Sequence, residues 1–301
     1  MDVSLSAEAH ALKLVPRLAP GGAVHRALED VLDRCDVAAS VARDPVGVVR
    51  RYRDDRDIEL VALVASCVAF GNVKALRAKL EDALERIGPS PSTRADDEEG
   101  IRARLSTWKH RVYKGDDLAR LIVGARRVQR EHGSLGMAFA SGFDGDLREA
   151  LARFVDRIRR AGGLDRSRSR GARHLLPDPR ATSGCKRLLL FLRWMVRGPD
   201  ETDLGTWRRH LETRVLLVPV DVHIHKLAKN LGLTKRKGTS WKTTLEITDA
   251  LRRFDAGDPV RFDFSLCHMG MLQRCPSKRN PKRCEGCPVK PVCTHWVGRA
   301  R

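Results

Sequence analysis

A chain of 301 residues can bury most of the surface it exposes when unfolded, so a real core and an enzyme-sized cleft are within reach. Its 57 Lys and Arg against 38 Asp and Glu leave a formal net charge of +19, far more than solubility needs, and point to a polyanionic partner, nucleic acid ahead of membrane. The apolar stretch Leu60–Phe70 is far short of the roughly 20 residues of a spanning helix, and the first residues lack a basic segment followed by an apolar one; neither a membrane span nor a signal peptide is expected, and the expected location is the cytoplasm, with the nucleoid.

Helical periodicity dominates the chain. Taken in order, the candidate helices are 24–45, 57–70, 73–87, 115–131, 144–160, 186–197, 221–231, 240–254 and 260–271, each flanked by Gly, Pro, Asp or Ser. In the fifth, Leu147, Ala150, Leu151, Phe154, Val155 and Ile158 form one apolar stripe, with Arg and Glu opposite. Few windows alternate as strands do, so the expected class is all-α. The Gly-, Ser-, Pro- and Arg-rich stretch Gly162–Gly184 reads as a long basic loop. Val215–Val220 is apolar, but Pro219 breaks it as a strand and Asp221 follows, which makes it a buried lead-in to a capped helix.

Four cysteines near the C-terminus read Cys275-x8-Cys284-x2-Cys287-x5-Cys293, inside a basic, proline-punctuated tail too short to fold around an apolar core. Such a segment needs an inorganic centre. A thiolate cage takes either a 4Fe–4S cluster or Zn²⁺. The uneven spacing, and a proline directly after Cys287, favour the cluster over the matched knuckles of structural zinc. The remaining cysteines, Cys35, Cys67, Cys185 and Cys267, sit in apolar or helical stretches, where thiols act as small buried hydrophobes; this usage suits a reducing compartment.

The string Val218-Pro-Val-Asp-Val-His-Ile-His-Lys-Leu-Ala-Lys-Asn-Leu-Gly232 places Asp221 as an N-cap and Gly232 as a helix stop. Followed by a four-cysteine loop, it resembles the helix-hairpin-helix DNA glycosylases of the endonuclease III superfamily, over about residues 56–293. The resemblance implies a two-lobed helical fold with a cleft between the lobes: 50–215 as one lobe, and 1–49 with 216–301 as the other. It implies Asp221 as the catalytic aspartate, and Cys275, Cys284, Cys287 and Cys293 as cluster ligands. In endonuclease III a glycine-rich hairpin and a lysine come shortly before that aspartate; this chain has neither there, and its first two cysteines lie further apart. Lys186, in Ser183-Gly-Cys-Lys-Arg-Leu-Leu-Leu-Phe-Leu-Arg-Trp194 with Ser183 expected as N-cap, supplies a lysine at an interval similar to that of archaeal 8-oxoguanine DNA glycosylase. The whole chain looks like a bacterial branch of the superfamily.

Breaking a glycosidic bond builds positive charge on the sugar, which a carboxylate offsets while an amine attacks the anomeric carbon. Asp221 and Lys186 have the required chemistry; the plainer reading of Lys186 and Arg187 is a phosphate grip at a helix start. A glycosylase also extrudes its base and fills the gap. The Phe70-Gly-Asn72 turn is the candidate wedge, Asn72 before Phe70, and Trp194 is the candidate to stack on the flipped base. Lys235, Arg236, Lys237, Lys278, Arg279, Lys282 and Arg283, with the run Arg166–Arg173, are candidate backbone contacts. The expected function is excision of a damaged, oxidised base from duplex DNA by a monomer, with lyase action through Lys186. The alternatives are a non-catalytic nucleic-acid-binding module of the same fold and a zinc-loop DNA- or RNA-binding protein.

Overall fold

The computed structural model describes residues 16–297; the first part of the expected N-terminal arm, residues 1–15, and residues 298–301 lie outside it. The described chain is predominantly helical. In order it forms α1 (Ala23–Asp33), α2 (Val37–Arg43), α3 (Val46–Val49), α4 (Asp55–Val68), α5 (Val73–Ile87), α6 (Pro91–Arg94), α7 (Glu98–Leu105), a hairpin of β1 (Lys109–His110) and β2 (Tyr113–Lys114), and α8 (Gly115–His132). These are followed by α9 (Leu135–Ala140), α10 (Leu147–Gly162), α11 (Arg170–Leu175), α12 (Lys186–Val196), α13 (Val222–Leu231), α14 (Trp241–Arg252) and α15 (Asp263–Leu272). No helix among these residues is long and apolar enough to cross a membrane.

Side-chain caps set many of the boundaries. Asp54, Asn72, Asp146, Asp221 and Ser240 each accept backbone N–H bonds at the start of α4, α5, α10, α13 and α14. Gly163 and Gly232 close α10 and α13 in the left-handed region, at φ 67° and 80°. The candidate helix 24–45 is broken: Asp36 accepts from the Ala39 amide and starts α2 afresh. The basic stretch Gly162–Gly184 is not all loop, since Ser169 caps α11 within it. Ser183 is not the cap of α12; that position belongs to Cys185 at φ +50°, whose amide donates to the Ser183 hydroxyl.

From Asp57 to Val68, α4 is buried all round, as a helix at the centre of a bundle must be. It packs on α12 and α8, and α8 in turn on α7, α9 and α10. Inside this group the buried Glu59 accepts from the Gln129 amide (2.8 Å), the Leu135 and Gly136 backbone amides (2.8 and 2.9 Å) and the Trp207 indole (2.7 Å). A carboxylate so surrounded is a structural pin.

A second group joins α1, α13, α15 and the cysteine loop. Arg193, on α12, links the two. Its Nε donates to Asp203 at 3.1 Å and its Nη1 to Asp263 on α15, all three side chains being almost wholly buried. Arg197 adds Asp203 and Asp258, at 2.9 and 2.7 Å. A buried guanidinium between two buried carboxylates is balanced only while all partners are present. Arg193→Met should therefore lower unfolding stability by about 3–5 kcal/mol, and Arg193→Lys should not restore it, since one ammonium lacks the planar fork that serves both acids. Denaturant midpoints measure this; an Arg193→Lys protein as stable as wild type would contradict it.

Candidate active site and cysteine cage

Lys186 opens α12, and the way it gets there is specific. Ser183 bridges Ser240 in an isolated antiparallel pair, so the loop lies along the start of α14. Gly184 permits the approach: a Cβ there would lie 3.1 Å from both the Thr239 carbonyl and the Thr244 hydroxyl. Cys185 then turns through the left-handed region, and Lys186 emerges half-buried at the helix start.

The next residue anchors that start. Arg187 donates to the Tyr113 hydroxyl at 2.8 Å, to the Leu175 carbonyl at 3.2 Å, and to the Cys67 and His174 carbonyls. Its Nη1 and Nη2 are thus engaged with the protein rather than presented for the phosphate grip expected of Arg187. What it does instead is hold Lys186 beside the corner where α4 turns into α5.

Asp221 is the N-cap expected from its sequence. Its Oδ1 accepts from the His223 and Ile224 amides, both at 2.8 Å. Its Oδ2 takes the thiol of Cys267 at 3.6 Å, from α15. Close packing of α13 on α15 allows this, since Gly270 faces Leu227 where a Cβ would come to 2.9 Å. Burial pushes the Cys267 thiol well above its ordinary range; Asp221, Asp263 and Asp44 push it further and Lys186 draws it back. Asp263 is itself pushed up to about 6 by burial against the pull of Arg193, with Asp221 adding to the rise. One thiol thus feels both candidate catalytic groups, and a single electrostatic neighbourhood contains Lys186, Asp221, Cys267 and Asp263. Sequence reasoning took Cys267 for buried filler; the only signal was its place four residues after Asp263, one helical turn along.

The other expected site residues divide. Trp194 is fully buried, at 0% exposure, so it is core and cannot stack on a base; this corrects the base-pocket expectation. Phe70 is half-buried under Arg111, Tyr113 and His174, with the Arg111 guanidinium 4.5 Å from its ring centre. Asn72 is exposed, but its Oδ1 caps α5. Lys235, Arg236 and Lys237 form an exposed turn, Arg236 paired with Glu246. Lys278, Arg279, Lys282 and Arg283 are exposed around the cysteine loop, with Arg279 lying 4.1 Å over the Trp296 ring.

Cys275, Cys284, Cys287 and Cys293 line one small cavity, walled also by Asn230, His295 and Trp296. Burial raises the thiols of Cys275, Cys287 and Cys293, and their neighbouring cysteines raise them further. Asn230 Nδ2 donates to Cys275 Sγ at 3.3 Å, while His295 Nε2 and Trp296 Nε1 are buried without protein partners. No three His, Cys, Asp or Glu side chains among the described residues converge as on a single ion.

The family model described as "Protein of unknown function (DUF2400)" matches residues 44–272, about three quarters of the chain. The chain belongs to this family. Neither the curated proteins nor the solved structures yield a match. The DUF2400 match takes in Lys186, Asp221 and Cys267 and stops just before Cys275, so the cage lies outside it.

The shared electrostatics of Lys186 and Asp221 can be tested without any substrate. Asp221→Asn removes a charge that raises the Cys267 thiol, so alkylation of Cys267 at about pH 8 should speed up roughly two- to tenfold; Lys186→Met removes one that lowers it and should slow the reaction. Peptide mass spectrometry reads the rate at Cys267 alone. Unchanged rates in both variants would separate the two groups.

Proposed function

We propose that this protein is a DNA base-excision glycosylase of the helix-hairpin-helix type, with associated lyase action, carrying a 4Fe–4S cluster in its cysteine cage. It acts as a monomer on a damaged, oxidised base in duplex DNA. The reading is supported by Asp221, fixed as the cap of α13 and in contact with Cys267 of α15, and by Lys186 at the start of α12, whose charge bears on that thiol. The two groups of helices correspond in this reading to two lobes, 50–215 and 1–49 with 216–301, with the site between them.

The chemistry assigned to each residue follows from its position. Asp221, held by two backbone N–H bonds on one oxygen, keeps a defined carboxylate orientation next to a sugar that gains positive charge as the base departs. Nζ of Lys186 forms a bond to C1′ as the bond from C1′ to the base nitrogen breaks, and the base leaves with the bonding pair and takes up a proton. The sugar ring opens to a protonated Schiff base. Loss of a C2′ proton then expels the 3′-phosphate and nicks the strand. Cys267, by donating to Asp221 Oδ2, orients the carboxylate without touching substrate.

A cluster is preferred to one zinc ion on the uneven spacing of the four cysteines, which all line one cavity, and on the proline after Cys287. The buried indole N–H of Trp296, without a protein acceptor, would be a donor to sulfide. When bound, the cluster supplies four iron corners that cross-link a segment with little core of its own. Around it Lys278, Arg279, Lys282 and Arg283 offer charge to a phosphate backbone, and about six such contacts in all would make affinity fall steeply with salt.

Borohydride trapping on abasic-site duplex tests the nucleophile: wild type should cross-link and Lys186→Ala should not, with salt-dependent binding retained by both. Asp221→Asn should slow base release by about 10²–10³-fold. A Lys186→Ala protein that traps as well as wild type refutes the nucleophile, and base release without nicking reduces Lys186 to a positioning role. Anaerobically purified protein should contain about four irons and four sulfides per chain. Stoichiometric zinc without iron would replace the cluster.

A further inference from the structure

The hairpin Lys109–Lys114 has no counterpart among the expected elements, and it lies where the wedge was sought. Its strands pair Lys109 with Lys114 and His110 with Tyr113, leaving Arg111 and Val112 at the turn. The inward residues nail it down. His110 is buried and reaches the Phe70 backbone; Tyr113 is fully buried, its hydroxyl 3.4 Å from the Cys67 carbonyl and accepting from Arg187. On the other flank Gly171 of α11 lets the turn sit close, since a Cβ there would lie 2.6 Å from the Val112 carbonyl. The hairpin is therefore rigidly attached both to the α4–α5 corner and, through Arg187, to the helix that begins with Lys186.

Its outward residues are of another kind. Lys109, Arg111, Val112 and Lys114 are exposed, and so are Lys74, Arg170 and Arg173 on the neighbouring helices. Arg111 sits at φ +55°, a backbone conformation that glycine or asparagine adopts more cheaply, and its guanidinium lies 4.5 Å from the Phe70 ring centre. Gly71, at φ +99°, makes room: a Cβ there would come to 2.8 Å from Arg111 Nη1. This arrangement covers Phe70, and the cap on α5 occupies the Asn72 carbonyl. At the tip itself the exposed residues are Arg111, whose guanidinium lies over Phe70, and the apolar Val112.

We propose that the hairpin tip, Arg111 with Val112, is the element that enters the minor groove of duplex DNA and fills the gap beside an extruded or missing base, in place of Asn72 or Phe70. The proposal rests on the glycosylase reading, since it needs a duplex with an unstacked position. Planar guanidinium groups hydrogen-bond base edges and phosphates in the groove, and small apolar side chains act as wedges between base steps. Strain at a tip that a glycine would relieve is retained where the side chain has work to do.

Arg111→Gly separates function from folding, because it relaxes the backbone while removing the guanidinium. Full-length wild type, Arg111→Gly and Val112→Ser are compared on a duplex containing a tetrahydrofuran abasic analogue with 2-aminopurine beside it. Wild type should bind and raise the 2-aminopurine fluorescence. Arg111→Gly should bind about tenfold more weakly, with a salt slope reduced by about one, and lose the fluorescence rise at an unchanged melting temperature. Val112→Ser, at an exposed position, should lose the fluorescence rise while keeping the salt slope, and it carries the test if Arg111→Gly fails to fold. Wild-type binding and fluorescence in both variants overturn the hairpin assignment and leave the glycosylase reading standing, provided wild type still traps on abasic DNA. A wild type that neither binds nor traps overturns both.

Discussion

A guanidinium shut away from water is the constraint on which the arrangement turns. Arg193 must keep Asp203 and Asp263 within hydrogen-bond reach, because three isolated charges in that position would cost several kcal/mol each. Arg193 lies on α12 and Asp263 on α15, so satisfying the charge also fixes how these helices sit together. Lys186 is two turns back along α12, and Cys267 is one turn along α15. Cys267 in turn touches Asp221. The relative placement of Lys186 and Asp221 thus follows from a charge-balance condition some distance from either.

The ends of the two helices are treated differently, and the difference fits their charges. Asp221 places a carboxylate at the start of α13, where unpaired amides and the positive end of the helix favour it. Lys186 places an ammonium-bearing side chain at the start of α12, where the same field opposes its charge. No side chain caps α12; the left-handed Cys185 turns the chain into it instead. One helix start holds an anion firmly and the other holds a cation in a field that disfavours it.

Long, strongly patterned elements were legible in the sequence. The interval 73–87 coincides with α5, and α4, α8, α12, α13 and α14 fall within about two residues of their expected bounds, because apolar period and capping residue agree there. Short pieces were not. The helices α9 and α11 are six residues each and the hairpin has two-residue strands, lengths at which periodicity has nothing to repeat, and only tertiary contacts sustain them. At the site, Asp221 was legible because a cap is a local event. Arg187 and Trp194 were misjudged because their roles depend on distant partners: the carbonyls of Cys67 and His174 for one, complete enclosure for the other. Cys267 was missed for the same reason, since its partner lies 46 residues earlier in the chain.

The cysteine cage bears on the site through α13. The last carbonyls of a helix need donors, and those of α13 find them in the loop and in the segment before α1. Thr294 N donates to the Asn230 carbonyl at 2.7 Å, and Arg17 reaches the Leu231 carbonyl at 3.1 Å and Val292 at 2.6 Å. From the helix itself Lys226 Nζ donates to the Cys275 carbonyl at 3.1 Å and Asn230 to the Cys275 sulfur. The loop therefore fixes the far end of the helix whose near end carries Asp221. A metal that rigidifies the cage would restrain the carboxylate along about ten residues of helix, a span of roughly 15 Å, without approaching it. On the proposed reading, a centre held there would act on the site through α13 without touching it; the hydrogen bonds themselves tie a loop beyond the end of the DUF2400 match to a helix inside it.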